Sequence, residues 1–234
     1  MNMDSQYNEN KLRKEFTGLI DRNRNVLFRF FNKDEAEDIL QKSITNYDAL
    51  IPQIPWIGGK ENSLTDNLIG AAQLLAVIIS LKSTGVEFRK TGEIVYALAE
   101  NNLKNIHPIL VYFVKKYIRS KSRLNKMLKA SLESQKKRYP DDWVFEYKIV
   151  NNEDVLFENT YSECAICKFY QKMGYAEYLP FLCLIDYATF SAFGLKLERT
   201  MTIGNGDSVC DFKLLKHGEN KPGWPPENHK EYKH

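Results

Sequence analysis

Apolar residues recur at helical spacing through the first 140 residues. The first such segment runs from about Lys11 to Phe31, and Asn32 with Glu35 forms a capping-box pattern that starts a second helix ending near Tyr47. Further helices are predicted over residues 63–82, 91–102 and 108–137. The hydrophobic pattern therefore predicts a helical N-terminal half.

A proline-rich segment, "IPQIPWIGGKENS" at residues 51–63, interrupts this half. Its prolines have no N–H to donate in a helix, and Gly58 with Gly59 allows the backbone to turn. The longest apolar run, Leu68 to Leu81, contains Gln73 and is shorter than the roughly 20 residues that span a bilayer. We predict a buried helix there and no membrane partner.

The hydrophobic period changes after residue 140. Residues 143–150 and 155–161 nearly alternate around a turn and predict one β-hairpin, and residues 195–203 and 209–215 flank "GNGD" and predict a second. Helices are predicted between the hairpins, over 162–173 and 178–193. This order predicts an α+β fold, with a helical N-terminal half followed by a ββααββ unit that contains an antiparallel sheet.

We divide the chain into a helical region at 1–140, a cysteine-containing α+β region at 141–216 and a flexible tail at 217–234. The first two are expected to form one compact unit with the helices packed on the sheet. The tail is expected to be mobile because it is rich in proline and poor in apolar residues.

Composition places the chain among ordinary globular proteins, since its 234 residues are 43% hydrophobic and 27% charged. The polar N-terminus has no signal or transit pattern, so we predict a cytoplasmic protein whose four cysteines are reduced. Oligomerisation stays open.

The net charge is only +3, but the segment from Lys115 to Arg138 holds ten basic residues and one acid, Glu133. It is typical of the solvated face of an amphipathic helix whose apolar stripe consists of Ile118, Leu124, Leu128 and Leu132. Tyr117 is the one aromatic residue among these basic residues. One ring is too few for a surface on which bases stack, so we predict no nucleic-acid partner. A basic face that binds an acidic protein is the alternative.

Three of the four cysteines fall in predicted helices, Cys164, Cys167 and Cys183, and Cys210 falls in the last predicted strand. Buried core thiols, an irregular zinc site and a catalytic thiol are all compatible with this spacing. Asp186 lies three residues after Cys183, on the same helix face, and Asp207 precedes Cys210 in the glycine turn. These carboxylates favour acid–base chemistry beside a thiol.

Other chemistry finds little support in the sequence. His107, His217, His229 and His234 are poorly placed for a Cys/His pair, and the phosphate-binding, dinucleotide-binding and zinc-protease motifs are missing. We therefore predict no cofactor and no metal; a small-molecule substrate is what the family resemblance described next implies.

The stretches "CKFYQKMGYAEYLPFLCLIDYATF" and "RTMTIGNGDSVCDF" resemble the C-terminal signature of the L-2-amino-thiazoline-4-carboxylic acid hydrolase family. "IPQIPWIGGKENSLTDNLIGAAQLLA" is similar to the N-terminal helical part of its bacterial members. The positions that the resemblance marks are Cys167, Cys183, Asp186, Gly206, Asp207, Cys210, Phe212, Gly58, Gly59, Asn62 and Thr65. Cys164 lies outside the pattern.

The resemblance implies hydrolytic opening of a 2-aminothiazoline ring to a carbamoyl-cysteine. Under this hypothesis Cys183 is the nucleophile or polarising thiol, Asp186 is its proton partner, and Asp207 is a second acid/base or amidine-binding carboxylate, with Cys210 beside it. Asn62 and Thr65 would bind the substrate carboxylate at a helix N-terminus, near Gly58, Gly59 and, in the other half, Cys167. A helix cap explains Asn62 and Thr65 equally well.

A second resemblance is to small-ligand sensor domains of the vinyl-reductase type, which have a similar closing G-D-x-x-C-x-F. Such a domain would bind a ligand or a metal without turnover. The sequence shows no effector domain beside it, which favours the enzyme.

Overall fold

The computed structural model describes residues 7–233. The first six residues of the predicted helical region and His234 lie outside the described residues. The fold is α+β, as predicted, and the chain divides into two compact units, Met1–Asn101 and Asn102–His234. The two helices after residue 107 belong to the unit that contains the sheet.

The first unit is built from helices α1 (Glu9–Leu27), α2 (Lys33–Leu50), α3 (Thr65–Ser83) and α4 (Phe88–Lys104), which starts in it. The predicted capping box is present, since the Asn32 side chain accepts from the Glu35 N–H and the Glu35 carboxylate accepts from the Asn32 N–H. α3 has the length and mean hydropathy (1.2) of a membrane span, but 56% of it is buried inside the protein.

The second unit contains α5 (Pro108–Ile118), α6 (Lys121–Ser134), α7 (Ala165–Met173), α8 (Leu179–Ala192) and an antiparallel sheet of β1 (Val144–Lys148), β2 (Val155–Glu163), β3 (Lys196–Glu198) and β4 (Cys210–Leu215). The strand order is β1-β2-β4-β3. Both hairpins and both intervening helices are therefore confirmed.

The basic segment forms two helices rather than the single helix predicted over 108–137. The helix α5 ends at Ile118, and Arg119 follows it. The Arg119 guanidinium donates to the carbonyls of Phe193, Gly194 and Lys216. Ser120 then caps α6 by accepting from the Arg123 N–H. Arg119 thus joins the end of α5 to the ends of α8 and β4.

The predicted apolar stripe of the basic segment is wrong in α6. Leu128 is 38% exposed and Leu132 is 63% exposed, whereas Met127 and Ser131 are buried. α6 faces the edge strand β1 with serine hydroxyls: the Ser131 hydroxyl donates to the Phe145 carbonyl and accepts from the Tyr147 N–H. The helix therefore satisfies backbone groups that an edge strand would leave open.

The strand predicted over residues 195–203 pairs only at Lys196–Glu198. Beyond it, the Asp211 carboxylate accepts from the Thr200 and Met201 N–H groups, at 2.9 and 2.6 Å, and the Asp207 carboxylate accepts from the Thr202 N–H. These carboxylates accept hydrogen bonds that a neighbouring strand would otherwise accept. Residues 200–202 therefore lie outside the sheet, although the sequence predicts a strand there.

Residues 217–233, called the closing segment here, are packed where the sequence predicts a flexible tail. His229 stacks on Tyr187 of α8, with ring centroids 3.7 Å apart, and Tyr232 stacks on Phe181 at 6.3 Å. Glu231 is 1% exposed. Aromatic packing therefore holds a segment whose composition alone indicates disorder.

Candidate functional site

Arg199, directly after β3, organises one side of the cysteine-containing region. Its side chain is 1% exposed and donates to the Asp186 carboxylate at 2.6 Å, to the Cys183 carbonyl at 2.7 Å and to the Glu231 carboxylate at 3.2 Å. The guanidinium also lies over the rings of Phe212 and Tyr187, at 4.9 and 5.2 Å. Carboxylates and aromatic faces together compensate a buried cation.

Asp186 lies on α8, at the solvent side of this cluster, with 39% of its side chain exposed. Burial raises the pKa of Asp186, and the Arg199 guanidinium opposes that rise. A carboxyl with a raised pKa that still reaches solvent suits proton transfer. Its carboxylate accepts a hydrogen bond from Arg199, and its predicted role as the proton partner of Cys183 stays a prediction.

Cys183 carries a neutral thiol. Burial raises the pKa of the Cys183 thiol to about 12, Asp186 raises it further through its charge, and Arg199 opposes them. Its sulfur packs against Gly204 so closely that a Cβ on that glycine would lie 2.7 Å away. A thiol held neutral in this way is a weak nucleophile at neutral pH.

Cys210 also carries a neutral thiol. It is buried, as its place in β4 predicts, and its sulfur accepts from the Ile203 N–H at 3.2 Å. Burial raises the pKa of the Cys210 thiol above its ordinary value. Its contact with Ile203 fixes the turn between β3 and β4, which is a structural role.

Cys164 differs from the other three cysteines, all of which are among the described residues. It occupies the N-cap position of α7 and is half-buried. The neighbouring Cys167 thiol lowers the pKa of Cys164, the Cys167 N–H, the Ile166 N–H and the Trp143 side chain lower it further, and burial opposes them. The Cys164 side chain makes no capping hydrogen bond to α7.

Cys167, the other half of the C-x-x-C pair, is 3% exposed. Hydrogen bonding with Cys164 and burial raise the pKa of the Cys167 thiol well above its ordinary value. The pair therefore combines one thiol that favours the thiolate with one that keeps its proton.

Tyr161 and Asn159 of β2 complete this side of the sheet. The Tyr161 phenol lies within electrostatic reach of Asp186, Cys164 and Cys210, and burial raises its pKa, so it is a neutral donor. The neighbouring Asn159 side chain opposes that rise in the Tyr161 pKa. Asn159 is 4% exposed, and its side-chain oxygen finds no hydrogen-bond partner within the described part of the chain. The Asn159 oxygen is therefore a buried acceptor without a partner among these residues, two residues before Tyr161, which pairs with Cys210 in the sheet.

Asp207 holds the closing segment to the β3–β4 connection. Its carboxylate accepts from the Thr202 N–H at 3.0 Å and pairs with the Lys233 ammonium. Hydrogen bonding with Lys233 lowers the pKa of Asp207, so it is a carboxylate at neutral pH and not an acid. Gly206 precedes it with φ at 88°, the left-handed region that favours glycine.

The predicted carboxylate-binding residues of the N-terminal half lie in the first unit, and their polar groups serve the loop before α3. The Asn62 side chain donates to the Ile57 carbonyl and accepts from the Leu64 N–H, and the buried Thr65 hydroxyl donates to the Gly59 carbonyl at 2.7 Å. Gly58 and Gly59 have φ of 107° and 56°, and Trp56 covers Gly59. These contacts give each of the four residues a part in the loop, and their part in binding a substrate stays a prediction.

The cysteines are not gathered into a metal site. Across residues 7–233, no group of three or more histidine, cysteine, aspartate or glutamate side chains is placed to hold a metal ion. Among the described histidines, His107 accepts from the Ile109 N–H at the start of α5, and His229 stacks on Tyr187.

Sequence reasoning missed Arg199, Glu231 and the role of Cys164. Alternation along Leu195, Leu197 and Arg199 places the arginine on the buried face, a signal that would have found it. Cys164 follows a strand and precedes a helix, the position of an N-cap. Glu231 lies in a polar segment and carries no comparable signal.

Comparison with curated proteins finds no match, and comparison with solved structures finds none either. A family profile matches residues 88–214, more than half of the chain, from the start of α4 to β4. The matched range includes the C-x-x-C pair, Cys183, Asp186, Arg199 and the glycine turn. The chain belongs to the L-2-amino-thiazoline-4-carboxylic acid hydrolase family.

Proposed function

We propose that this protein hydrolyses a small cyclic amidine of the L-2-amino-thiazoline-4-carboxylate type to a carbamoyl-cysteine. The single observation that carries the proposal is the family match over residues 88–214. The thiols, carboxylates and buried arginine within that range support the proposal, because ring opening can use a nucleophile and acid–base groups.

In this proposal Cys164 replaces Cys183 as the nucleophile, because its pKa is lowered while that of Cys183 is raised. The Cys164 thiolate adds to C2 of the ring, and the C2–sulfur bond of the ring then breaks to release the substrate thiolate. The resulting intermediate is an isothiourea whose sulfur belongs to Cys164. Water adds to its central carbon, and the Cys164 thiolate leaves again. The balance is one substrate and one water to one carbamoyl-cysteine.

Asp186 is the proposed proton carrier. Its raised pKa and its 39% exposed side chain allow it to protonate the leaving sulfur and to take a proton from the attacking water. Arg199 is a positioning residue, since it holds the Asp186 carboxylate and the Cys183 carbonyl.

The amidine itself offers N–H donors, and Asn159 offers the unused acceptor beside Tyr161. An amidine N–H that donates to the Asn159 oxygen would place C2 on the side of the sheet where Tyr161 faces the thiols. The roles of Asn62 and Thr65 in binding the carboxylate stay a prediction.

The proposal is tested by incubating the full-length protein with L-2-amino-thiazoline-4-carboxylate and following, by mass spectrometry, a product heavier by one water. We expect Cys164→Ser to abolish turnover and Asp186→Asn to slow it by about 10²-fold or more. Cys183→Ser is the matched control and should keep most of the activity.

Binding without turnover in the unmodified protein would favour the sensor alternative. If Cys164→Ser keeps turnover and Cys183→Ser loses it, Cys183 is the nucleophile, as the sequence hypothesis has it.

A further inference from the structure

Two thiols meet at the N-terminus of α7. Cys164 occupies the N-cap position, Cys167 lies three residues later in the first turn, and each thiol shifts the pKa of the other. The side chain of an N-cap residue lies over the first turn of its helix, on the side of the third helical residue. The two thiols are therefore neighbours at the start of α7.

The two thiols are unequal in access and in protonation. Cys164 is half-buried, whereas Cys167 is 3% exposed. The Ile166 and Cys167 N–H groups and the Trp143 side chain lower the pKa of Cys164, burial opposes them, and Cys167 keeps its proton. A partly exposed cysteine with a lowered thiol pKa next to a buried, protonated cysteine is the arrangement that supports thiol–disulfide exchange.

We propose that Cys164 and Cys167 form a reversible disulfide by exchange with small disulfides such as oxidised glutathione. The pair is then a redox modification site of the protein, separate in chemistry from ring opening.

The exchange balances with the small disulfide RSSR as oxidant. The Cys164 thiolate attacks one sulfur of RSSR, forms a mixed disulfide with RS and expels RS⁻. Cys167 loses its proton and attacks the Cys164 sulfur, which forms the intramolecular S–S bond and expels the second RS⁻. Two protein thiols are oxidised, and one small disulfide is reduced to two thiols.

The consequence for activity rests on the proposed function. If Cys164 is the ring-opening nucleophile, the disulfide removes its thiolate, and oxidation reversibly stops turnover. The disulfide itself requires no substrate, so its detection is independent of whether the protein is a hydrolase.

The experiment treats the full-length protein with mixtures of reduced and oxidised glutathione, stops the exchange with acid, blocks free thiols of the unfolded chain with N-ethylmaleimide and maps tryptic peptides by mass spectrometry. Cys164 and Cys167 fall together in peptide 149–168, Cys183 falls in peptide 173–196 and Cys210 in peptide 200–213. Each kind of oxidation therefore has its own peptide.

We expect peptide 149–168 to lose two hydrogens as the glutathione mixture becomes more oxidising, and to regain them with dithiothreitol, while the other two peptides stay reduced. Cys167→Ser should trap a glutathione adduct on Cys164, and Cys164→Ser should take up neither adduct nor disulfide. Cys167→Ala serves as a second trapping variant if the serine does not fold.

The proposal is overturned if peptide 149–168 stays fully alkylated in oxidised glutathione, or if Cys183 or Cys210 oxidises before it. Both results come from the unmodified protein and depend on no variant. A protein that forms the disulfide but opens no thiazoline ring would contradict the proposed function and leave this inference standing.

Discussion

Arg199 is the residue on which the interior of the second unit depends most. Its guanidinium is buried with Glu231, whose side chain is 2% exposed and also accepts from the Tyr187 hydroxyl at 2.6 Å. The attraction between the two opposite charges compensates the free-energy cost of burying them. If one is removed, the other remains buried without that compensation.

Replacing Arg199 with methionine should therefore destabilise the protein by about 3–5 kcal/mol, because Glu231 loses its cation. The double variant Arg199→Met with Glu231→Gln removes both charges and should recover much of that loss. Urea unfolding of the three proteins measures both quantities. Equal stability of the single and double variants would contradict the account.

At the scale of single residues, the sequence identifies Cys183, Asp186 and Cys210 as candidate site residues. It does not determine which of them is the nucleophile or the acid. Spacing places Cys183 and Asp186 on one helix face, yet it carries no information about Arg199, which takes the carboxylate. Thiol reactivity depends on the N–H groups around each sulfur, and these follow from the fold. Cys164 therefore emerges as the candidate thiolate only from the structure.

Among the elements, the pairing of α6 with β1 shows how a helix is fixed without an apolar stripe. The Ser131 hydroxyl bonds both the Phe145 carbonyl and the Tyr147 N–H, and Ser134 and Gln135 bond the same stretch of strand. The exposed leucines of α6 indicate that polar contacts, more than apolar burial, define its register on β1.

Ser131→Ala should cost about 1–3 kcal/mol, because it leaves the buried Tyr147 N–H without its hydrogen-bond partner. Ser122→Ala, on the exposed side of α6, is the matched control and should change stability little. Chemical denaturation of both variants provides the comparison. A loss of the same size in both would show that the hydroxyl bonds to β1 contribute nothing specific.

The order of helices and strands was predictable because each has its own hydrophobic period and its own capping or turn residues, as at Asn32 and in the "GNGD" turn. The break between α5 and α6 was not, because Arg119 contacts carbonyls about 75 and 97 residues away in the chain. Local patterns also cannot show that Asp211 and Asp207 replace the strand partners of residues 200–202.

Across the whole molecule, the closing segment links stability to pH through His229. Burial lowers the pKa of His229, with Arg199 and Lys221 acting the same way, while the Pro222 carbonyl and Glu231 oppose it. The unfolded chain therefore binds a proton at a higher pH than the folded chain does. Stability is fully present above the ordinary histidine pKa, about 6.5, and falls as the pH decreases below it.

We expect the free energy of unfolding to decline as the pH is lowered from about 7.5 to 5, and His229→Gln to flatten that decline. The carboxylates of Asp207 and Glu163, whose pKa values are lowered by Lys233 and by Lys137 with Lys168, should add a separate loss at lower pH. Denaturation curves at several pH values test this. An unchanged slope in the His229 variant would contradict it.

The central claim, that Cys164 is the thiolate of this protein, is tested most directly by the pH dependence of iodoacetamide labelling of the native chain, with fragment ions locating the label. The account predicts that Cys164 is labelled first, with a midpoint below the ordinary thiol value of about 8.5, while Cys167, Cys183 and Cys210 react only at higher pH or after unfolding. Labelling of Cys183 ahead of Cys164 at neutral pH would contradict it.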